Sequence, residues 1–249
     1  MSTAVPRCAG EWHPFGAVPD RDFLSPGGVD VWSLGLSPEL ARRGSALLSA
    51  DEHRRAALLR TARLRFRFVA ARSLLRRILA AYLGEDPAAL TFSAGPYGKP
   101  ALVAGSGRPP LEFNLSHSGD RALLAVSNAG AVGVDIERIG ETDLVEEVGP
   151  LVFTPKERLH LEEWPANARQ AAFYGLWCRK EAIAKALGLG LSLDVARLEV
   201  GFLEAVTVDL ENGEPFWFAS LPVIEDHATA LVFRHPAAFV RCFALAAWD

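Results

Sequence analysis

The chain has 249 residues and a formal net charge of −4; half of it is hydrophobic and 22% is charged. That size suits one large domain or two small ones, with a core that needs no disulfide or metal to hold it. The apolar content excludes a disordered chain, no apolar run reaches the roughly 18 residues of a membrane-spanning helix, and the mild acidity argues against general nucleic-acid binding.

The opening stretch MSTAVPRCAGEWHPF has no basic start followed by an apolar segment, so it does not read as a secretory signal. Cys8, Cys178 and Cys242 are far apart and form no CxxC or zinc spacing; a reducing, cytoplasmic setting is the simplest reading. Residues 1–28 read as irregular, broken by Pro6, Pro14, Pro19 and Pro26. Val29–Leu36 alternates like a strand. Residues 48–83 lack Gly and Pro and read for the most part as one long amphipathic helix, capped by Ser49 or Asp51. Nine arginines and no acid lie between His53 and Arg77. A solvated face accounts for most of them; the sharper reading is a positive surface for an anionic ligand or an acidic protein partner.

Residues 84–110 are loop-rich with short strands. Phe113–Ser116, Ala122–Ser127 and Val132–Ile136 read as strands. Thr154-Pro155-Lys156-Glu157 has the form of a capping box. A helix is predicted from about Ala168 to Leu187, stopped by Gly188. Asn212-Gly213 between VTVDL and FWFASL signals a hairpin, and 228–233 and 239–246 read as strands. The pattern is α+β: two similar lobes, each a small, mostly antiparallel sheet with a long helix. The lobes are residues 1–131 and 132–249, with the boundary near Asn128–Val132.

No P-loop, GxSxG, HExxH or Rossmann fingerprint is present. Four other segments carry chemistry. In Gly133-Val134-Asp135-Ile136-Glu137, Asp135 and Glu137 are two apart on a strand and present carboxylates to one side. Like charges so placed repel unless a cation lies between them, and oxygen ligands suit a hard ion such as Mg²⁺; an exposed acidic strand end is the plain alternative. In Trp177-Cys178-Arg179-Lys180-Glu181-Ala182, Trp177, Glu181 and Lys185 share a helix face. Only four of the 26 basic residues are lysines, which makes Lys180 and Lys185 conspicuous. Tyr97-Gly98-Lys99-Pro100 offers a glycine for close backbone approach and a lysine for a phosphate. Phe113-Asn114-Leu115-Ser116-His117-Ser118 supplies short donors.

Taken in this order, these four segments resemble the Sfp-type 4′-phosphopantetheinyl transferases over roughly residues 48–200. The resemblance implies transfer of the 4′-phosphopantetheine arm of coenzyme A to a serine of an apo acyl or peptidyl carrier protein, releasing 3′,5′-ADP, at a site between two lobes. It implies Mg²⁺, with Mn²⁺ able to replace it, on Asp135, Glu137 and Glu181. Lys99 (with Gly98 and Pro100), Ser116, His117 and Arg55 are implied as coenzyme A contacts, and Lys180 and Lys185 as lysines near the pyrophosphate. Asp135, Glu181 and Lys185 are implied in catalysis, and Glu157 resembles a glutamate proposed as general base. A second basic position three residues before Arg55 is filled here by Glu52. No nucleic-acid or membrane partner is expected, and one chain supplying both lobes implies a monomer. The arginine-rich helix is the candidate partner surface. The rival readings are a non-catalytic coenzyme A-binding relative and a Mg²⁺-dependent nucleotide pyrophosphate hydrolase.

Overall fold

A computed structural model describes residues 11–15, 27–103, 111–140, 145–202, 205–207, 215–235 and 237–245. The first half contains β1 (His13–Phe15), β2 (Gly28–Gly35), α1 (Pro38–Gly44), α2 (Ala50–Ala57), α3 (Ala62–Leu83), β3 (Phe92–Ala94), β4 (Pro100–Leu102), β5 (Glu112–Ser118) and β6 (Arg121–Ser127). The second contains β7 (Val132–Arg138), α4 (Val145–Val152), α5 (Pro155–Glu162), α6 (Ala166–Leu187), β8 (Ala205–Thr207), β9 (Pro215–Ala219), β10 (His227–Phe233) and β11 (Phe239–Leu245). The class is α+β, as the sequence predicts, and a short strand, β1, replaces part of the expected irregular start.

The single helix expected over residues 48–83 is two. Ser49, not Asp51, caps α2, in a capping box with Glu52. Thr61 then accepts from the Leu64 amide at 3.1 Å and starts α3 afresh. A hydroxyl that satisfies orphan helix amides favours a start over continuation. Arg65 ties the elbow by donating to the Leu59 carbonyl at 2.9 Å. The turn at Asn212-Gly213 lies outside the described residues; the flanking strands β8 and β9 pair antiparallel.

Two main sheets form, ordered β1-β11-β2-β6-β5 and β7-β10-β9-β8, with β3 and β4 as a separate ribbon. The first is mixed, because β11 runs parallel to both β1 and β2. The chain's last strand therefore returns to the sheet of the first half. The halves expected at 1–131 and 132–249 do not each supply one sheet from a continuous segment.

Strand alternation sorts the core into layers. Trp32 and Leu34 of β2 and Leu124 of β6 pack beneath α3. Val29, Val31, Leu123 and Ala125 face Val134, Ile136, Leu231 and Phe233 of the second sheet. Ala230 and Val232 pack beneath α6. Cys178 is free and buried, whereas Cys242 is disulfide-bonded, so the simple picture of reduced cysteines does not hold for all three.

Helix α6 crosses closely over β7. A Cβ on Gly133 would lie 1.9 Å from the Ala182 carbonyl oxygen and 2.7 Å from the Ala186 amide. Neither is a flexible side chain that could yield. Gly133 thus sets how near Glu181 and Lys185 of α6 come to Asp135 of β7. Gly133→Ala is expected to cost about 2–3 kcal/mol, read as a fall in Tm of roughly 5–10 °C; an unchanged Tm would show that the crossing is looser.

Candidate functional site

Strands β5 and β7 each form an edge of their sheet. An open edge leaves backbone groups unpaired, yet these edges meet without a backbone ladder. The stripe Asn114, Ser116 and Ser118, spaced by two along β5, joins them instead. Asn114 Oδ1 accepts from the Val134 amide at 2.8 Å. Ser116 Oγ donates to Asp135 Oδ1 at 2.7 Å. Ser118 Oγ donates to Glu137 Oε2 at 2.8 Å and accepts from the Arg138 amide at 3.0 Å. The segments NLSHS and GVDIE are thus spatial partners across a seam.

The chemistry gathers on the α6 side of this seam. Asp135 is fully buried. Lys185 Nζ donates to Ser116 Oγ at 2.8 Å and forms an ion pair with Asp135 Oδ1. Asp135 Oδ2 is also buried but accepts no hydrogen bond; the nearby Cys178 Sγ donates to the Ala228 carbonyl at 3.4 Å. Burial, then the charge of Asp135, raises both Glu137 and Glu181 above the usual carboxylate range, and Glu181 adds to the effect on Glu137. Burial, then the charge of the adjacent Asp135 carboxylate and its contact with the thiol, push Cys178 well up.

An orphaned carboxylate oxygen beside two carboxylates that resist ionisation is a donor set suited to a hard divalent cation. The residues fit such an ion by chemistry. As the side chains stand, no group of three His, Cys, Asp or Glu among the described residues is close enough to hold one, and Lys185 supplies the compensating charge.

Ser116 and His117 point to opposite faces of β5, as strand alternation requires. His117 is exposed at the surface of β5, yet partial desolvation by its neighbours, then the charges of Lys185 and Arg67, lower its pKa. Arg67 of α3 is a basic residue beside the site that the sequence reading did not single out within the arginine run. In the turn between β3 and β4, Gly98 adopts φ +83° with open space where a Cβ would sit. That φ serves the turn, and the space beside the residue is open. Lys99 donates to the carbonyls of Val132 (3.4 Å) and Ala186 (3.3 Å), and burial lowers its pKa. A cavity of about 490 Å³ opens beside it, lined among others by Leu83, Pro100, Leu111, Phe113 and Gly188.

Two expected site residues lie elsewhere. Glu157 and Lys180 are buried against each other, with Lys180 Nζ 2.6 Å from Glu157 Oε2. Oε2 also accepts from the Thr154 amide at 2.9 Å, and Oε1 accepts from the amides of Val200 (2.8 Å) and Gly201 (3.4 Å). Lys180 donates further to the carbonyls of Val195 and Leu198. With its oxygens so occupied, Glu157 has no room to take a proton from a substrate; the capping reading prevails. Lys180 turns away from the seam although Glu181, next in sequence, faces it. Glu52 is likewise buried, accepting from Arg72 and Arg76 at 2.6 and 2.7 Å, which is why an acid stands at that position. Arg55 lies exposed on α2, its guanidinium 5.9 Å from the Phe68 ring centre.

The match with known proteins follows the seam. Residues 131–232 match the family model of the 4′-phosphopantetheinyl transferase superfamily. The 4′-phosphopantetheinyl transferase HetI of Nostoc sp. is 34% identical over 206 residues, covering 82% of this chain and 86% of that one. The chain belongs to this superfamily. It is an enzyme of the transferase class. A 4′-phosphopantetheinyl transferase of Bacillus subtilis is 32% identical over 168 residues, covering 66% of this chain and 71% of that one. A phosphopantetheinyl transferase of Thraustochytrium sp. is 29% identical over 234 residues, covering 86% and 81%.

Two outcomes follow from these environments. Glu157→Ala leaves Lys180 buried without its partner and is expected to cost about 3–5 kcal/mol in chemical denaturation; a loss below about 1 kcal/mol would remove the pair's structural role. For Glu181, a folded-state pKa above the usual 4.5 means that the folded protein binds the proton more tightly. Stability then falls as pH rises from about 4.5 through the raised value. In EDTA, Glu181→Gln is therefore expected to raise Tm at pH 7 and to lose that gain below about pH 4.5.

Proposed function

We propose that this enzyme transfers the 4′-phosphopantetheine arm of coenzyme A to the serine of an apo carrier protein and releases 3′,5′-ADP. The observation that carries the reading is the meeting of Lys185, Ser116 and Asp135 at the seam, flanked by Glu137 and Glu181. Asp135, Glu137 and Glu181 would hold Mg²⁺, or Mn²⁺ in its place. When bound, that ion would neutralise the pyrophosphate and polarise the phosphorus under attack.

The chain's own residues do the rest by position and charge. The carrier serine oxygen attacks the β-phosphorus of coenzyme A, and the bond to the bridging oxygen of the pyrophosphate breaks. Glu181 takes the serine proton at its carboxylate, directly or through a water, its raised pKa favouring the protonated form. Glu157, already saturated, does not. Lys185 stabilises the phosphate of the departing 3′,5′-ADP. Lys99, Pro100 and the adjoining cavity would take the nucleotide end, with His117, Arg67 and Arg55 near its 3′-phosphate. Lys99, Ser116 and His117 precede the proposed division at residues 131 and 132, and the carboxylates follow it. One chain therefore supplies both sides, and a monomer suffices. The carrier is one of fatty-acid, polyketide or nonribosomal peptide synthesis. No helix among the described residues is long and apolar enough to cross a membrane.

The test is the intact mass of an apo carrier protein incubated with enzyme, coenzyme A and Mg²⁺, with an EDTA control. One phosphopantetheine should be gained, and EDTA should abolish the gain. Asp135→Ala and Glu181→Gln should each slow the transfer by about a hundredfold or more. Coenzyme A turnover without any carrier would favour a pyrophosphate hydrolase instead, and binding without turnover a non-catalytic relative.

A further inference from the structure

Two serines of the seam are wired alike. Ser116 Oγ accepts from Lys185 Nζ at 2.8 Å and donates to Asp135 Oδ1 at 2.7 Å. Ser118 Oγ accepts from the Arg138 amide at 3.0 Å and donates to Glu137 Oε2 at 2.8 Å. A hydroxyl has one proton to give. With an N–H already directed at each serine oxygen, that proton goes to a carboxylate. The period of two along β5 thus matches the period of two along β7, and each acid of β7 has its own serine. Ser116 serves Lys185 as well; Ser118 serves Glu137.

Of the two β7 acids, Glu137 is the one that needs holding. Asp135 is fully buried and ion-paired with Lys185, whereas Glu137 is half-buried and adjoins the exposed Arg138. A glutamate has several rotamers, and at such a margin many of them point into water. The bond from Ser118 selects one of them, ties Oε2 and leaves Oε1 to serve an ion. Ser118 is itself braced. It pairs with Arg121 across the turn Gly119-Asp120 of the β5–β6 hairpin. The Asp120 carboxylate is held by Arg63 and Arg67 of α3 at 2.8 and 2.7 Å, and its carbonyl accepts from the Leu36 amide at 2.8 Å. The hydroxyl therefore stands on a fixed hairpin, and Glu137 conforms to it.

We propose that Ser118 is a positioning residue for the metal site: it holds Glu137 in the conformation from which that carboxylate joins Asp135 and Glu181 on Mg²⁺. The proposal rests on the metal set of the transferase reading. Groups that orient a metal ligand from behind typically set affinity by about ten- to a hundredfold. A half-buried serine belongs at the low end of that range. Little of the fold depends on this hydroxyl, because the Arg138 amide that it receives lies at the exposed end of β7, where water can replace it.

The experiment measures Mn²⁺ binding to the full-length enzyme by electron paramagnetic resonance, with coenzyme A saturating and no carrier, so that no transfer occurs. Ser118→Ala is expected to raise the Mn²⁺ Kd about tenfold, and Ser118→Thr, which keeps the hydroxyl, to stay within about twofold of wild type. Tm, and the coenzyme A Kd in EDTA, should hold in both. In steady-state transfer, Ser118→Ala should raise the Mg²⁺ concentration for half-maximal rate by the same factor, while kcat at saturating Mg²⁺ stays within about threefold. In a Glu137→Ala background, Ser118→Ala should add less than about twofold to the Mn²⁺ Kd, because the serine acts through that glutamate. An unchanged Kd in Ser118→Ala, no rescue by threonine, or an undiminished effect in the Glu137→Ala background would overturn the proposal. Wild-type enzyme that binds no Mn²⁺ would overturn it together with the metal set. Mn²⁺ bound by wild type with no mass gain on any carrier would sink the transferase reaction alone, and the Kd values would still decide the role of Ser118.

Discussion

The two sheets meet along edges that share no backbone ladder, and the molecule's chemistry depends on how that junction is closed. Strand edges are ordinarily paired, covered or blunted. Here three short polar side chains of β5 close the gap by bonding two amides and two carboxylates of β7. Because the closure uses side chains, it places ionisable groups inside the junction. Asp135 is buried there because β7, though an edge of its sheet, is covered by β5 and α6, and the neighbouring Val134 and Ile136 anchor the opposite layer. The same alternation that fills the core aims the carboxylate at α6.

Buried charges elsewhere in the chain show what a structural charge looks like. Glu52 is matched by Arg72 and Arg76, which also binds the carbonyls of Pro87 and Leu90. Asp30 is held by Tyr82 and by both prongs of Arg241. Glu157 is saturated by three amides and Lys180. Such groups cost little once satisfied and a great deal if a partner is lost. Asp135 departs from this pattern, since one of its oxygens is buried and unsatisfied while two nearby glutamates resist ionisation. A protein keeps such an arrangement where a ligand completes it.

Most of the strands and the two long helices were legible because pattern and punctuation agree in them: Gly188 ends α6, Thr154 starts α5, and β6 and β7 are short, mostly apolar runs. The break at Leu58–Thr61 was not, because neither Gly nor Pro marks it; a single hydroxyl decides it. The motif acids and Lys185 could be picked out by type and spacing. The fate of Glu157 and Lys180 could not, because a capping box and a catalytic glutamate look alike in sequence, and one residue of rotation on α6 separates core from seam. Asn114 and Ser118 stood inside a quoted motif, and their period of two was the available signal. Arg67 was hidden by its eight arginine neighbours in the run. That β11 returns to the first sheet is invisible to local pattern, because pairing partners there are some two hundred residues apart.

That return has a consequence for how the protein is made. β2 sits inside its sheet only when β11 is in place, and Asp30 gains Arg241 across a separation of 211 residues. A chain emerging from the ribosome completes its second sheet before its first. Until residue 245 or so is free, one edge of β2, with the fully buried Val29 and Val31 beside it, has no neighbour. Contacts of such range slow folding and leave a strand edge exposed in the interval. The unit that folds is therefore the whole chain, and the first half waits on the last strand.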